Sequence, residues 1–224
     1  MKPSTWRQAG QLILATCALN LFASVLLAIL IRPGTLAGGA LPERMAYISS
    51  HHIVWTLGWS SWIFATLSLV LLFYALLGCF ETRPSVFHWL PVIFTVLGAV
   101  PDNIGVSLQL IVLPQLAGHS EPLGPRLFEL MDRLSVALTG GLNNFWYGLA
   151  FFALVPVLRR GPLPRRFAVL SLALGTSAML LSLASFLYRV ELLVLTTALT
   201  MGLFVVWSLG LGWHLVHADA GERG

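Results

Sequence analysis

Residues 53–80 read IVWTLGWSSWIFATLSLVLLFYALLGCF and contain no charged side chain. At 1.5 Å per residue, a helix of this length extends about 42 Å, whereas the hydrocarbon core of a bilayer is about 30 Å thick. No lysine, arginine, aspartate or glutamate interrupts the stretch. It therefore predicts a transmembrane helix.

The same pattern recurs along the chain and predicts six spans. A membrane-spanning segment must satisfy its own backbone hydrogen bonds, so each of these long apolar segments is expected to be an α-helix. The short connections around residues 81–84 and 188–191 make neighbouring helices antiparallel. We predict an all-α, polytopic transmembrane helical bundle that forms a single domain over residues 1–224, with spans near residues 10–32, 50–79, 87–113, 128–158, 166–187 and 190–216.

The composition excludes an ordinary soluble domain. Hydrophobic residues make up 57% of the chain and charged residues 10%, against roughly 25% charged residues in soluble proteins. The net charge of +4 comes from basic residues that lie mainly in short loops, which are topology signals rather than a nucleic-acid surface. The expected partners are membrane lipids and a small-molecule or lipid ligand, with a homo-oligomer or a membrane partner left open, and no nucleic acid.

The loop Arg159-Arg-Gly-Pro-Leu-Pro-Arg-Arg166 orients the predicted bundle. Four arginines in eight residues resist translocation, and an N-terminus on the inside places eight basic residues in inner segments against four in outer ones. We predict a multi-pass protein of the plasma (inner) membrane with both termini cytoplasmic. The alternative that the first span is a cleaved signal peptide would leave five spans, but this run exceeds the usual apolar region of 7 to 15 residues.

The most costly residue in the predicted spans is Asp102, in the sequence Val100-Pro-Asp-Asn103. A charge near mid-bilayer costs on the order of 3 kcal/mol, and Asp102 is predicted to lie about 16 Å deep. Pro101 removes a helical hydrogen bond, so a kink or break is expected there. The functional interpretation is a proton carrier or ligand-binding acid together with Asn103, and the structural one is a protonated or bonded residue that holds helices together.

Polar groups continue along the Asp102 face of span 3 and recur on one face of span 4. In span 3, Gly105 and Gln109 are predicted to share the face of Asp102. In span 4, polar and small residues spaced by three and four predict one continuous stripe, whose asparagines either bind a ligand or join helices beside close-packed glycines. The members of this stripe are Glu129, Asp132, Arg133, Val136, Gly140, Asn143, Asn144 and Tyr147.

Span 2 begins with two histidines and carries an aromatic stripe. His52, Trp55, Trp59 and Trp62 are spaced so that they lie close to one helical face. Such rings either fill a bundle core or line a site for an aromatic or cationic ligand. His52 would lie at the mouth of such a site and titrate near neutral pH, or simply meet water at the interface.

No motif in the sequence specifies a reaction. The H-E-x-x-H, G-x-S-x-G and P-loop patterns are absent, the two cysteines form no C-x-x-C pair, and the only lysine is Lys2. We expect no cofactor and no metal. The histidines lie at predicted helix ends or in loops, which argues against haem ligation between helices.

The polar groups of the outer half suggest a hypothesis for function. If their faces converge, they form one polar cavity open to the outside, with Asp102 and Arg133 as its charged centre, as in a small-molecule binding or transport protein. The first alternative is an intramembrane enzyme that acts on a lipid or isoprenoid, with His52, Asp102 and Asp132 as acid or base groups. The second is an accessory subunit of a membrane complex.

Overall fold

The structure, a computed structural model, describes residues 3–80, 86–118 and 123–217, and every regular element in those ranges is helical. Three π-helical segments, Leu27–Ile31, Leu108–Val112 and Ala137–Leu142, continue α-helices without a turn between them. The α-helices are α1 (Pro3–Leu26), α2 (Leu41–Ser50), α3 (His52–Gly78), α4 (Val86–Ser107), α5 (Leu113–Ala117), α6 (Leu123–Val136), α7 (Asn143–Arg160), α8 (Arg165–Phe186) and α9 (Val190–His217).

Six helical segments are long and apolar enough to cross a membrane, so the chain is a multi-pass membrane protein as predicted. The predicted number of spans is confirmed, while some bounds differ by several residues, since the first span begins before residue 10 and the third extends beyond residue 113. We number them span 1 (Thr5–Gly34), span 2 (His52–Gly78), span 3 (Phe87–Ala117), span 4 (Leu123–Arg160), span 5 (Arg165–Phe186) and span 6 (Val190–His217).

The six spans form a closed ring in chain order. Each span contacts the next one along the chain, and span 6 returns to contact span 1. The short helix α2 connects spans 1 and 2 at one end of the ring, which we call the α2 end; the loop between spans 4 and 5 lies at the other, which we call the arginine-loop end. The α2 end is the predicted outer side.

Two apolar clusters fill the ring. At the arginine-loop end, side chains such as Phe73, Phe151 and Trp207 meet edge to face and are nearly or completely buried. At the α2 end, Trp55 and Phe128 belong to a second cluster that also contains residues of α2. The polar site described below lies between these clusters, in spans 2, 3 and 4.

Span 3 does not break at Pro101, where a kink or a break was expected, and the kink stays a prediction. α4 continues through Pro91 and Pro101 as far as Ser107, and the departure from α geometry comes two turns later, in the π-helical segment Leu108–Val112. A proline inside a membrane helix is tolerated when neighbouring helices and small local adjustments satisfy the freed backbone groups. The prediction treated proline by its effect on an isolated helix.

Part of the topology argument falls on residues that the structure does not describe. Lys2, Arg83, Arg223 and the connection at 81–84 lie outside the described residues. The turn between spans 5 and 6 is described: α8 ends at Phe186 and α9 begins at Val190. The inside location of the termini stays a prediction.

Candidate functional site

Asp102 is buried midway along span 3, at 2% exposure. Its Oδ2 atom accepts hydrogen bonds from the hydroxyl of Thr66 at 2.7 Å and from the hydroxyl of Tyr147 at 3.2 Å. The side chains of Asn143 and Trp62 also border the carboxyl group. Its Oδ1 atom has no hydrogen-bond partner among the described residues.

Three spans contribute to this site, and a glycine lets them approach closely. Thr66 comes from α3, Asp102 from α4 and Tyr147 from α7. At Gly98, one turn before Asp102, an added Cβ would lie 2.6 Å from Cε1 of the Tyr147 ring. Since real Cβ atoms do not approach carbon so closely, only glycine at position 98 allows Tyr147 its place beside Asp102.

A second set of polar contacts lies two helical turns closer to the α2 end. The Gln109 side-chain amide donates to Ser135 Oγ at 2.8 Å, and this hydroxyl donates to the carbonyl of Gly105 at 3.0 Å. The indole of Trp55 donates to the Gln109 carbonyl at 2.6 Å. These bonds join the same three spans, so the polar contacts between them extend from Asp102 to Gln109.

Three buried polar atoms in this part of the bundle lack a hydrogen-bond partner among the described residues. They are Oδ1 of Asp102, Oε1 of Gln109 and Nε1 of Trp59. A buried polar atom left without a partner costs about 1–3 kcal/mol, so native structures keep few of them. Two acceptors on span 3 and one donor on span 2 are thus left unsatisfied at this interface.

A separate ion pair lies at the α2 end. Arg44 in α2 donates to Asp132 Oδ2 in span 4 at 2.6 Å, with side-chain exposures of 5% and 2%. Arg44 Nε also donates to the carbonyl of Gly34 at 3.3 Å, and the guanidinium lies over the Phe128 ring at 5.7 Å. The Asp132 carboxylate is thus charge-compensated.

Tyr188 completes this cluster from the turn between spans 5 and 6. Its hydroxyl donates to Asp132 Oδ2 at 3.0 Å, and Arg133 lies over its ring at 4.8 Å. Burial, together with the negative charge of Asp132, raises the pKa of Tyr188 above its ordinary value of 10, so the phenol stays a donor. The backbone φ of Tyr188 is +52°, in the left-handed region, which is costly for a tyrosine. The contacts of its hydroxyl with Asp132 and of its ring with Arg133 help to offset this cost.

The structure brings most of the predicted site residues to the interface of spans 2, 3 and 4. Asp102, Gln109, Asn143, Tyr147, Trp55 and Trp59 are buried there. Asn103 and Asn144 are half-buried, and their amides donate to backbone carbonyls of their own helices, at 2.8 Å to Ala99 and 3.0 Å to Gly140. These two asparagines therefore satisfy local backbone groups.

Other predicted members lie elsewhere. Arg133 is exposed and pairs with Glu129 at 2.7 Å on the outside of span 4, so its expected place at the charged centre beside Asp102 is wrong. The stripe is not continuous, because the buried face includes Asp132 and Ser135 rather than Glu129 and Arg133. The π-helical segment Ala137–Leu142 then changes the register before Asn143.

The predicted aromatic face of span 2 is only partly buried. His52 is exposed, while Trp55 and Trp59 point into the bundle and meet edge to face at 5.8 Å. His52 therefore does not lie with the indoles on the buried face, although the four residues were expected to lie close together. His52 is the first residue of α3, and the buried residues of this helix begin at Trp55.

The sequence analysis missed three residues that form hydrogen bonds with the buried polar side chains. Arg44 was counted only as a loop charge, although it is 4% exposed and is the partner of Asp132. Thr66 and Ser135 were not singled out, since hydroxyl residues are common in membrane helices. A usable signal existed for Thr66, which is seven residues beyond Trp59 and therefore on the same face of α3.

Within the ranges that the structure describes, no group of three or more histidine, cysteine, aspartate or glutamate residues is placed to hold a metal ion. Comparison of the chain with protein-family models, with curated proteins and with solved structures gave no match. The positions and contacts of the site's own residues are therefore what indicates its chemistry.

Proposed function

We propose that the protein binds or transports a small molecule through the interface of spans 2, 3 and 4, with the Asp102 carboxyl group carrying a proton in the process. The main support for this proposal is that the Oδ1 atom of Asp102 is buried and has no hydrogen-bond partner among the described residues. In the predicted orientation, the site is reached from the outer side, where the α2 end lies.

The arrangement of the carboxyl group suits proton exchange. Thr66 and Tyr147 both donate to Oδ2, so they hold one oxygen in place and leave the other able to take up a proton or accept from a ligand. Neither donor carries a positive charge, so no fixed cation holds Asp102 in the ionised state. An acid kept inside a membrane on these terms is more often functional than structural.

The polar contacts continue from Asp102 towards the α2 end. Gln109 and Ser135 bond to each other two turns away, and Asp132 lies one turn beyond Ser135 on span 4. These side chains contain both donors and acceptors, which a polar solute or a proton needs to move from one position to the next. The three π-helical segments lie in spans 1, 3 and 4, each centred in the half of its span nearer the α2 end. Such segments are frequent at functional sites.

The direct test is solute-coupled proton flux in liposomes that contain the purified full chain and an internal pH-sensitive dye. A panel of small organic cations, anions and neutral metabolites is added outside, and the internal pH is followed. We expect Asp102→Asn to lower the response to an active solute about 10-fold or more, because the amide cannot release a proton. Infrared spectroscopy should show a carboxylic-acid band that responds to pH in the parent and is missing in Asp102→Asn.

Thr95→Val is the matched control. Thr95 is fully buried on the same helix, and its hydroxyl donates only within α4, to the Pro91 carbonyl at 2.7 Å. This variant should keep the parent flux. Absence of flux for every solute, with no pH-dependent carboxyl band, would contradict the proposal, and turnover of a lipid extract in detergent micelles would favour the intramembrane enzyme instead.

A further inference from the structure

A groove with a volume of about 420 Å³ opens at the arginine-loop end of the bundle. It is lined by Val155, Pro156, Arg159 and Arg160, at the end of α7. Val155 and Pro156 give its lining an aliphatic part, and Arg159 and Arg160 give it two guanidinium groups. The Asp102 site lies in the middle of the bundle and contributes no residue to this groove, so the two sites are independent.

The arginines at this end have no carboxylate partner among the described residues. The ion pairs that the described residues form are Arg44 with Asp132 and Arg133 with Glu129, at the α2 end. Arg165 and Arg166, which begin α8 on the other side of the same loop, are exposed like Arg159 and Arg160. Four positive charges thus lie within eight residues, next to the end of a membrane span.

The loop that presents these charges is held in place by buried contacts. Leu163 is 6% exposed and belongs to the apolar cluster at this end. Gly161 lies against the ring of Phe80, where any added Cβ would collide with it, and its backbone N–H donates to Val157 at 3.1 Å. The guanidinium groups are therefore carried by an anchored backbone, which lowers the entropy lost when they bind an anion.

We infer that this groove binds the phosphate headgroup of an anionic phospholipid. Guanidinium groups bind phosphate through paired, charge-assisted hydrogen bonds, and clusters of arginine next to a membrane span attract anionic lipids. The half-buried Val155 and the exposed Pro156 offer an aliphatic surface to the start of an acyl chain. A soluble anion would contact the two arginines alone, whereas a phospholipid would also contact Val155 and Pro156.

The test measures thermal unfolding of the purified full chain by tryptophan fluorescence in mixed micelles. One set of micelles contains phosphatidylglycerol and the other phosphatidylcholine with the same acyl chains, and a third sample contains glycerol phosphate without lipid. We expect phosphatidylglycerol to raise Tm by several degrees relative to phosphatidylcholine, and glycerol phosphate to give less than about half of that shift. The variant Arg159→Gln/Arg160→Gln should lose at least about half of the shift.

Arg126→Gln is the matched control, because Arg126 is an exposed arginine at the opposite end of the bundle, on α6. It should keep the full shift. Equal shifts in the double variant and the parent, equal effects of the two lipids, or a full shift with glycerol phosphate alone would each overturn the inference. If the double variant is not monodisperse, Arg159→Gln replaces it; loss of about a third of the shift is then expected, and full retention would overturn the inference.

Discussion

Two buried carboxylates, Asp132 at the α2 end and Asp102 midway along span 3, are both 2% exposed but are bonded very differently. Asp132 accepts from a guanidinium and a phenol, so its negative charge is balanced. Asp102 accepts from two neutral hydroxyl groups, those of Thr66 and Tyr147, and neither of these donors carries a charge. Asp132 therefore fastens elements together, whereas Asp102 is the acid that we propose carries a proton.

The Asp132 cluster fastens three parts of the chain. Arg44 belongs to α2, Asp132 to span 4 and Tyr188 to the turn between spans 5 and 6. A buried ion pair contributes little net stability compared with apolar residues, but removal of one partner leaves an unbalanced buried charge. Substitutions at the two acids and their neighbours should therefore differ in how much they destabilise the protein.

The largest expected effect is that of Arg44→Met. It leaves the Asp132 carboxylate buried without its cation, and we expect the free energy of unfolding to fall by about 3–5 kcal/mol. The measurement is equilibrium unfolding in micelles with a chemical denaturant. The double variant Arg44→Met/Asp132→Leu should regain most of the loss, and a double variant as unstable as Arg44→Met would show that the charge balance is not what matters.

Gly98→Ala tests the close approach of Tyr147 to Asp102. The new methyl group would lie 2.6 Å from the Tyr147 ring, so the ring must move, and overpacking of this kind costs about 1–3 kcal/mol. Gly202→Ala on span 6 is the control, because nothing lies within 4 Å of its added Cβ. Alanine is the better helix former, so this control should be neutral or slightly stabilising, and equal losses in both variants would contradict the packing argument.

Tyr188→Phe removes one donor from the Asp132 cluster. We expect a loss of about 1–2 kcal/mol in unfolding free energy, because the hydrogen bond to a buried carboxylate is lost while the ring stays. Tyr147→Phe is the parallel change at Asp102, where the bond is longer, at 3.2 Å, and we expect a loss below about 1 kcal/mol. A larger loss for Tyr147→Phe would reverse the ranking of the two sites.

Asp102→Asn should change stability by less than about 1 kcal/mol, although it is expected to lower the flux about 10-fold or more. The amide oxygen can still accept from Thr66 and Tyr147, and no neighbouring cation loses its partner. Asp132→Asn, measured in the same way, should cost clearly more, because Arg44 would then be buried without a balancing charge. Similar losses for the two asparagine variants would mean that Asp102 is also held as a fixed charge.

The smallest expected effect is that of Arg133→Gln. Its pair with Glu129 is about half exposed, and exposed pairs at this spacing contribute about 0.3–0.5 kcal/mol. The unfolding free energy should therefore stay within about 0.5 kcal/mol of the parent value. A loss above about 1 kcal/mol would indicate that the contact of Arg133 with the Tyr188 ring is more important than the exposed pair.

Residues Asp102, Gln109 and Tyr147 were predicted correctly as buried polar positions because their spacing from neighbours on the same helix determines which face they share. The prediction failed for Arg133, because the side of span 4 that faces inward depends on how that helix is rotated in the ring. The helix does not break at Pro101, because the neighbouring spans support the helix that proline would weaken in isolation.

By itself, the sequence determined the number of spans, their helical nature and the presence of a costly acid in span 3, because these depend on hydrophobic length and on spacing within one helix. Only the tertiary structure decided that Arg44 neutralises Asp132, 88 residues away, and that one oxygen of Asp102 has no hydrogen-bond partner within the described ranges. The physical reason is that a buried charge is balanced by whichever group the packing of distant helices brings within hydrogen-bonding distance, and spacing along the chain does not contain that information.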